Sequence, residues 1–223
     1  MINLEKGKRI NLEKTSGEKL TSFCVGCNWG DVVEKRFFGL SEHVVDVDLD
    51  LSCMMFNAAG QPIDHIWSPL YNFPSKLGLP KGKLLSVDHA IKHTGDMLSA
   101  SQDNIPQDLD NEIITVDLNR VSSEVNSIVF FLNIYNNSEF HGDFSKIPYA
   151  YIRMFEGRPD QTPKEVFAKY NVATRTDCVG MRALVMAKLY RHNGDWKFAA
   201  IGDAFTDPTI VHTIQRVINS YNK

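Results

Sequence analysis

Asp46, Asp48 and Asp50 stand at alternate positions in HVVDVDLDLSCMMF, residues 43–56, against Val45, Val47, Leu49 and Leu51. Strict alternation predicts a strand with two unlike faces, although Asp is a residue that strands disfavour. Same-face neighbours on a strand lie about 6.5–7 Å apart. Two carboxylates at that spacing repel by roughly 0.6 kcal/mol in water and about 2.4 kcal/mol at an effective dielectric near 20. Three in a row near a sheet carry a cost unless a cation compensates. The acidic face continues as Ser52, Met54 and Phe56, polar at its start and apolar at its end. That places the carboxylates at one rim of a packed sheet, where a metal ion could be reached from solvent.

A second acidic cluster lies in HTGDMLSASQDNIPQDLDNE, residues 93–112, with Asp96, Asp103, Asp108, Asp110 and Glu112 and with Asn104 and Asn111 between them. Its composition is that of a loop, and it runs into a strand beginning near Glu112. Alternating oxygen donors in a loop are how hard cations such as calcium are wrapped. A donor set of carboxylates and carbonyls disfavours zinc and copper. Neither segment is an EF-hand: Leu51 stands where that loop needs glycine, and the flanks are strands. Each cluster alone also reads as a solvated acidic surface, since Asp is mostly exposed. Two clusters, each at a strand end, favour a metal site.

Other residue types with chemical potential are fewer. Cys24 and Cys27 in SFCVGCNW spell C-x-x-C, but no second pair follows and no His lies at finger spacing. They are expected to be small buried thiols on a strand. His93 or His89 beside the acidic loop could serve as a general base. A magnesium- or manganese-dependent hydrolase is therefore an alternative function.

The elements that must hold these residues are mostly strands. SIVFFLNIYNN, 127–137, is a continuous apolar run expected as a central strand. YAYIRMF, 149–155, alternates, and NEIITVDL ends a strand at Leu118. Two apolar runs flank Asn193-Gly194, the strongest hairpin signal in the chain. A C-terminal helix is expected over about 208–222, with Asp207 as cap and Pro208 at its first position. Its apolar face would be Ile210, Val211, Ile214, Val217, Ile218 and Tyr221. A shorter helix is expected at TPKE, where Thr162 and Glu165 have capping-box spacing. Residues 72–83, with two prolines and two glycines, read as loop. The expected fold is mainly β: one domain over 1–223, a β-sandwich of two mostly antiparallel sheets with few short helices.

The bulk numbers agree. The 223 residues are 43% hydrophobic and 23% charged, ordinary for a globular chain. The net charge of −3 offers no basic field for nucleic acid or anionic lipid. Lys and Arg are frequent before residue 40, while Asp dominates from 46 to 117. No apolar run approaches the roughly 18 residues of a membrane span. The N-terminus MINLEKGKRINLEK lacks the apolar region of a secretory signal. With four cysteines and no disulfide framework, a cytoplasmic location is expected.

Several motifs, taken in order, resemble the TerD family of tellurite-resistance and general stress proteins. They are LEKGKRINLEK, VGCNW, DLD at 48–50, HTGD at 93–96, DLDNE at 108–112 and LYRHNGDWKFAAIGDAF near the end. The resemblance spans about residues 3–206. It implies a calcium-binding β-sandwich whose acidic loops hold the ions, with no established enzymatic activity. On the family's motifs, Asp48, Asp50, Asp96, Asp108, Asp110 and Glu112 would be calcium ligands, with Asn111 a weaker donor and Asp46 and Asn72 second-tier. Six carboxylates suit one or two calcium ions. The sequence departs from the pattern in three places. Met97 and LSASQDNIPQ replace an Asn and a glycine-rich turn, Asn111 stands for a second Asp, and DAFTDPTIV replaces a glycine-rich close. Loss of the permissive glycines bears on whether the longer loop 97–107 abolishes one site. The expected role is non-catalytic, through protein partners of a stress-resistance system and without nucleic acid. A calcium-dependent module docking peripherally on membranes is a further alternative.

Overall fold

The computed structural model describes residues 2–3, 7, 9–13, 16–36, 40–98, 109–135 and 140–222. Asp103, Asn104 and Asp108 fall outside them, as does most of the 97–107 loop. In chain order the first strands are β1 Ile2–Asn3, β2 Arg9–Asn11, β3 Ser22–Trp29, β4 Val32–Arg36 and β5 Ser41–Val45. Next come β6 Leu49–Phe56, β7 Pro62–Ile66, β8 Ile91–His93, β9 Glu112–Asp117 and β10 Ser127–Ile134. The last are β11 Ala150–Glu156, β12 Glu165–Asn171, β13 Ala183–His192 and β14 Asp195–Phe205, followed by helix α1, Ile210–Ser220.

These strands build two six-stranded sheets, β1-β12-β11-β3-β9-β8 and β2-β14-β13-β10-β6-β7, with β4 and β5 as a separate ribbon. Among the described residues every pairing is antiparallel except β1 with β12. The second sheet is covered twice, and its sequence shows why. On β10, Ile128, Phe130, Leu132 and Ile134 pack between the sheets. Val129 and Phe131 pack on the opposite face beneath Ile210, Ile214 and Val217 of α1. A strand buried on both faces reads as a continuous apolar run. β6 follows the same logic: Leu49, Leu51, Cys53 and Met55 point inward, while Met54 and Phe56 lie under the helix.

The polar-to-apolar gradient expected on the acidic face is therefore present, but the strand is not continuous. β5 ends at Val45 and β6 begins at Leu49, with residues 46–48 between them. The Val47 N–H donates to Asp31 Oδ1 at 2.9 Å and its carbonyl accepts from Trp29 Nε1 at 2.7 Å. These partners are side chains from the end of β3 and just after it, and they replace a ladder at that point.

The central strand at β10, the alternating β11 and the Asn193-Gly194 hairpin are found where expected. Asn193 and Gly194 have φ of 51° and 82°, as a two-residue turn of mirror type requires. Loop 72–83 is irregular, with a single 3-10 turn at Ser75–Leu77.

Two helix expectations are corrected. Thr162 and Glu165 start no helix: Glu165 opens β12, which pairs with β11, so sheet pairing overrides a local capping signal. Asp207 and Pro208 precede α1, whose N-cap is Thr209 with no side-chain capping bond. Asp207 instead takes both oxygens to Arg216, at 2.9 and 2.6 Å, a charge-assisted fork stronger than a neutral cap. Among the described residues no helix is long and apolar enough to cross a membrane.

Candidate metal centre

The starts of β6 and β9 meet at one rim of the sandwich, and four carboxylates gather there. Asp48 lies immediately before β6, Asp50 is on it, Glu112 opens β9, and Asp96 follows β8. Glu112 is 1% exposed and points between the sheets. Its Oε2 accepts from Leu51 N–H at 2.8 Å and its Oε1 from Met97 N–H at 3.1 Å. One carboxylate thus ties the first sheet to β6 and to the segment that carries Asp96. Asp50 Oδ2 accepts from the Tyr71 hydroxyl at 2.6 Å.

Asp48 is 5% exposed, and its Oδ1 has no hydrogen-bond partner; neither has the buried Oδ1 of Asp96. Burial, and then the charges of Asp96 and Glu112, push the Asp48 carboxyl up to about 8. Asp50 is driven well above the ordinary carboxylate range by burial and by Asp48 and Glu112. Glu112 is raised by burial despite its two backbone donors. Among the described residues the ion pairs bring no Lys or Arg to these four groups. Ionising buried carboxylates without a counter-charge is costly, which is why these groups are raised.

Asp48, Asp50 and Asp96 face a cavity of about 450 Å³, bounded by Ser68, Tyr71, Asn72, Phe73, Leu98 and Tyr135 among others. As they stand, no three His, Cys, Asp or Glu side chains among the described residues are arranged to hold a metal ion. The donor set is nevertheless that of a hard cation, oxygen only and open to solvent through the cavity.

Of the other expected ligands, Asp110, Asn111 and Asp46 are not among the residues that border this cavity. Asp110 lies against the outer face of the first sheet, where Arg153 Nε donates to its Oδ2 at 2.9 Å. Burial raises its carboxyl, partly offset by Arg153 and Lys169. Asn111 Oδ1 accepts from Trp29 N–H at 3.1 Å. Asp46 is exposed. Asn72, the other second-tier residue, does border the cavity.

The alternative chemistries meet specific obstacles. His93 is buried, and its Nδ1 accepts from Gly95 N–H at 3.0 Å. Burial pushes its imidazole down to about 4. Its Nε2, 3.4 Å from Glu112 Oε2, faces a carboxylate inside the sandwich rather than the cavity. His89 occupies a tight turn at φ 59°. Cys24 and Cys27 belong to packing clusters on opposite faces of β3, and burial raises both thiols.

Tyr71, Phe73 and Tyr135 are site residues that spacing could not reveal. They come from a loop and from just beyond a central strand, and only folding brings them over the acidic residues.

A TerD-domain family model matches residues 1–216. The chain belongs to the TerD family. Stress response protein SCP2 of Bacillus subtilis is 32% identical over 221 residues, covering 97% of this chain and 99% of that protein. Tellurium resistance protein TerZ of Serratia marcescens is 30% identical over 211 residues, covering 94% and 93%. A solved homologue of telluride resistance protein TerD from Streptomyces coelicolor superposes with a TM-score of 0.60 at 14% identity, over 91% of this chain and 98% of that one. That likeness supports the TerD-type sandwich. Relatives of this chain in the family are named for tellurium resistance and for stress response.

Proposed function

We propose that this TerD-family chain is a non-catalytic calcium-binding protein of a stress- or tellurium-resistance system, acting through protein partners. Asp48, Asp50 and Asp96 would hold one ion at the floor of the cavity, with Glu112 behind them fixing the two sheets. The observation that carries this reading is Asp48: a buried carboxylate with an unpartnered oxygen, beside two more acids and, among the described residues, in no ion pair with Lys or Arg. Bound calcium would supply the missing positive charge and draw the carboxylates together against their repulsion. The cavity leaves room for the solvent oxygens that complete a six- to eight-ligand shell. A second ion at 108–112 has less support, because Asp110 already has Arg153 as its counter-charge.

Calorimetric titration of calcium into metal-stripped protein tests the assignment. Asp48→Asn is expected to weaken binding at least tenfold, roughly 1.4 kcal/mol, whereas Asp110→Asn is expected to change it much less. If Asp48→Asn binds calcium as the wild type does, the ligands lie elsewhere.

A further inference from the structure

The cavity above the acidic floor is larger than a metal ion needs. Calcium sits about 2.3–2.6 Å from its oxygens, whereas this cavity measures about 450 Å³, within the roughly 300–1,000 Å³ of small-molecule sites. Part of its wall is aromatic, from Tyr71, Phe73 and Tyr135. Tyr71 and Phe73 stack with centroids 5.6 Å apart and planes at 13°. Tyr135 meets Tyr71 edge-on, at 6.1 Å and 65°. Rings in two orientations thus form a corner beside Asp48, Asp50 and Asp96. The mouth is open: Tyr135 is 44% and Leu70 70% exposed.

The chemistry of such a corner is specific. Aromatic faces carry the negative lobe of the ring quadrupole and attract a cation within about 6 Å of the centroid. Among the described residues the lining includes carboxylates and rings but no Lys, Arg or His. Asp48, 5% exposed, borders this space and keeps one buried oxygen, Oδ1, without a hydrogen-bond partner. A metal ion uses the carboxylates but not the rings, and a neutral apolar ligand uses the rings but not the carboxylates. An alkylated ammonium ion uses both.

We propose that this cavity binds a small organic ammonium ion, its charge against Asp48 and Asp96 and its methyl or methylene groups against Tyr71, Phe73 and Tyr135. The site shares its floor with the calcium reading and goes beyond it, and no covalent step is involved.

Choline serves as the probe, and the control is its uncharged isostere with carbon in place of nitrogen. Both are titrated by calorimetry into the full chain in the presence of a chelator. Choline is expected to bind at least tenfold more tightly than the isostere. Tyr135→Ala is expected to weaken choline roughly fivefold or more, while Tyr135→Phe, which keeps the ring face and its packing, retains binding. No heat from choline at millimolar concentration would overturn the proposal. So would equal affinity for the isostere, or choline binding unchanged in Tyr135→Ala. Because the choline arm contains no metal, failure of a separate calcium titration counts against the calcium reading alone.

Discussion

Asp110 and Glu112 are two residues apart yet lie on opposite faces of the first sheet, and a glycine makes that possible. A Cβ on Gly26 would stand 1.8 Å from Asp110 Oδ2, so the bare backbone of β3 is what lets Asp110 reach Arg153. Gly26→Ala is expected to cost about 1–3 kcal/mol, as overpacking of a filled site does, read as a lower urea midpoint. Asp88 offers a pH test away from the cavity. Burial raises its carboxyl, but hydrogen bonds from Ser86 Oγ and from the Ser122 and Ala90 N–H groups outweigh burial and hold it below the ordinary value. A depressed carboxylate contributes stability above its unfolded pKa, and that contribution is lost as pH falls through the folded value. Asp88→Asn is therefore expected to flatten the loss of stability below about pH 4, measured by denaturation across an acid series. At this scale Asp48 and Asp50 are legible from alternation. The separation of Asp110 from Glu112 is not, because it depends on where β9 begins and on an opening at Gly26.

Helix α1 is held by more than its apolar face. Asn133 Nδ2 on β10 donates to Thr213 Oγ1 at 2.7 Å, and Thr213 Oγ1 donates to Asp207 Oδ2 at 3.3 Å. This polar track lies beside the floor, since Asn133 is paired across the ladder with Asp50. Thr213→Val preserves shape but leaves the buried Asn133 amide without an acceptor. The expected loss is about 1–3 kcal/mol, checked by chemical denaturation, with the helix retained in far-UV circular dichroism. Elements were legible where their pattern had one cause. The runs in β10 and α1 record burial, and Asn193-Gly194 records a turn that demands positive φ. Local signals mislead where they compete with a tertiary partner. Thr162 and Glu165 yield to pairing with β11, and Asp207 yields to Arg216. The break at residues 46–48 answers to Asp31 and Trp29, which no local pattern links to it.

In the whole molecule, two sheets meet at a rim where Glu112 clasps β6, and the cost of burying a cluster of acids works against that closure. The sandwich and its acidic rim could be read from alternation, composition and the TerD resemblance. The aromatic wall could not, because loop 68–74 and the end of β10 are brought together only by the pairing of β6 with both β7 and β10. Calcium that binds the folded rim and not the unfolded chain must stabilise the whole, by about 2.7 kcal/mol at a hundredfold excess over the dissociation constant. For a chain of this size that corresponds to a rise in melting temperature of about 5–10 °C. The direct measurement is the melting temperature of metal-stripped protein against added calcium. Calcium binding at the rim is expected to give a saturable rise that Asp48→Asn abolishes or displaces to much higher calcium. An unchanged melting temperature at millimolar calcium would contradict it.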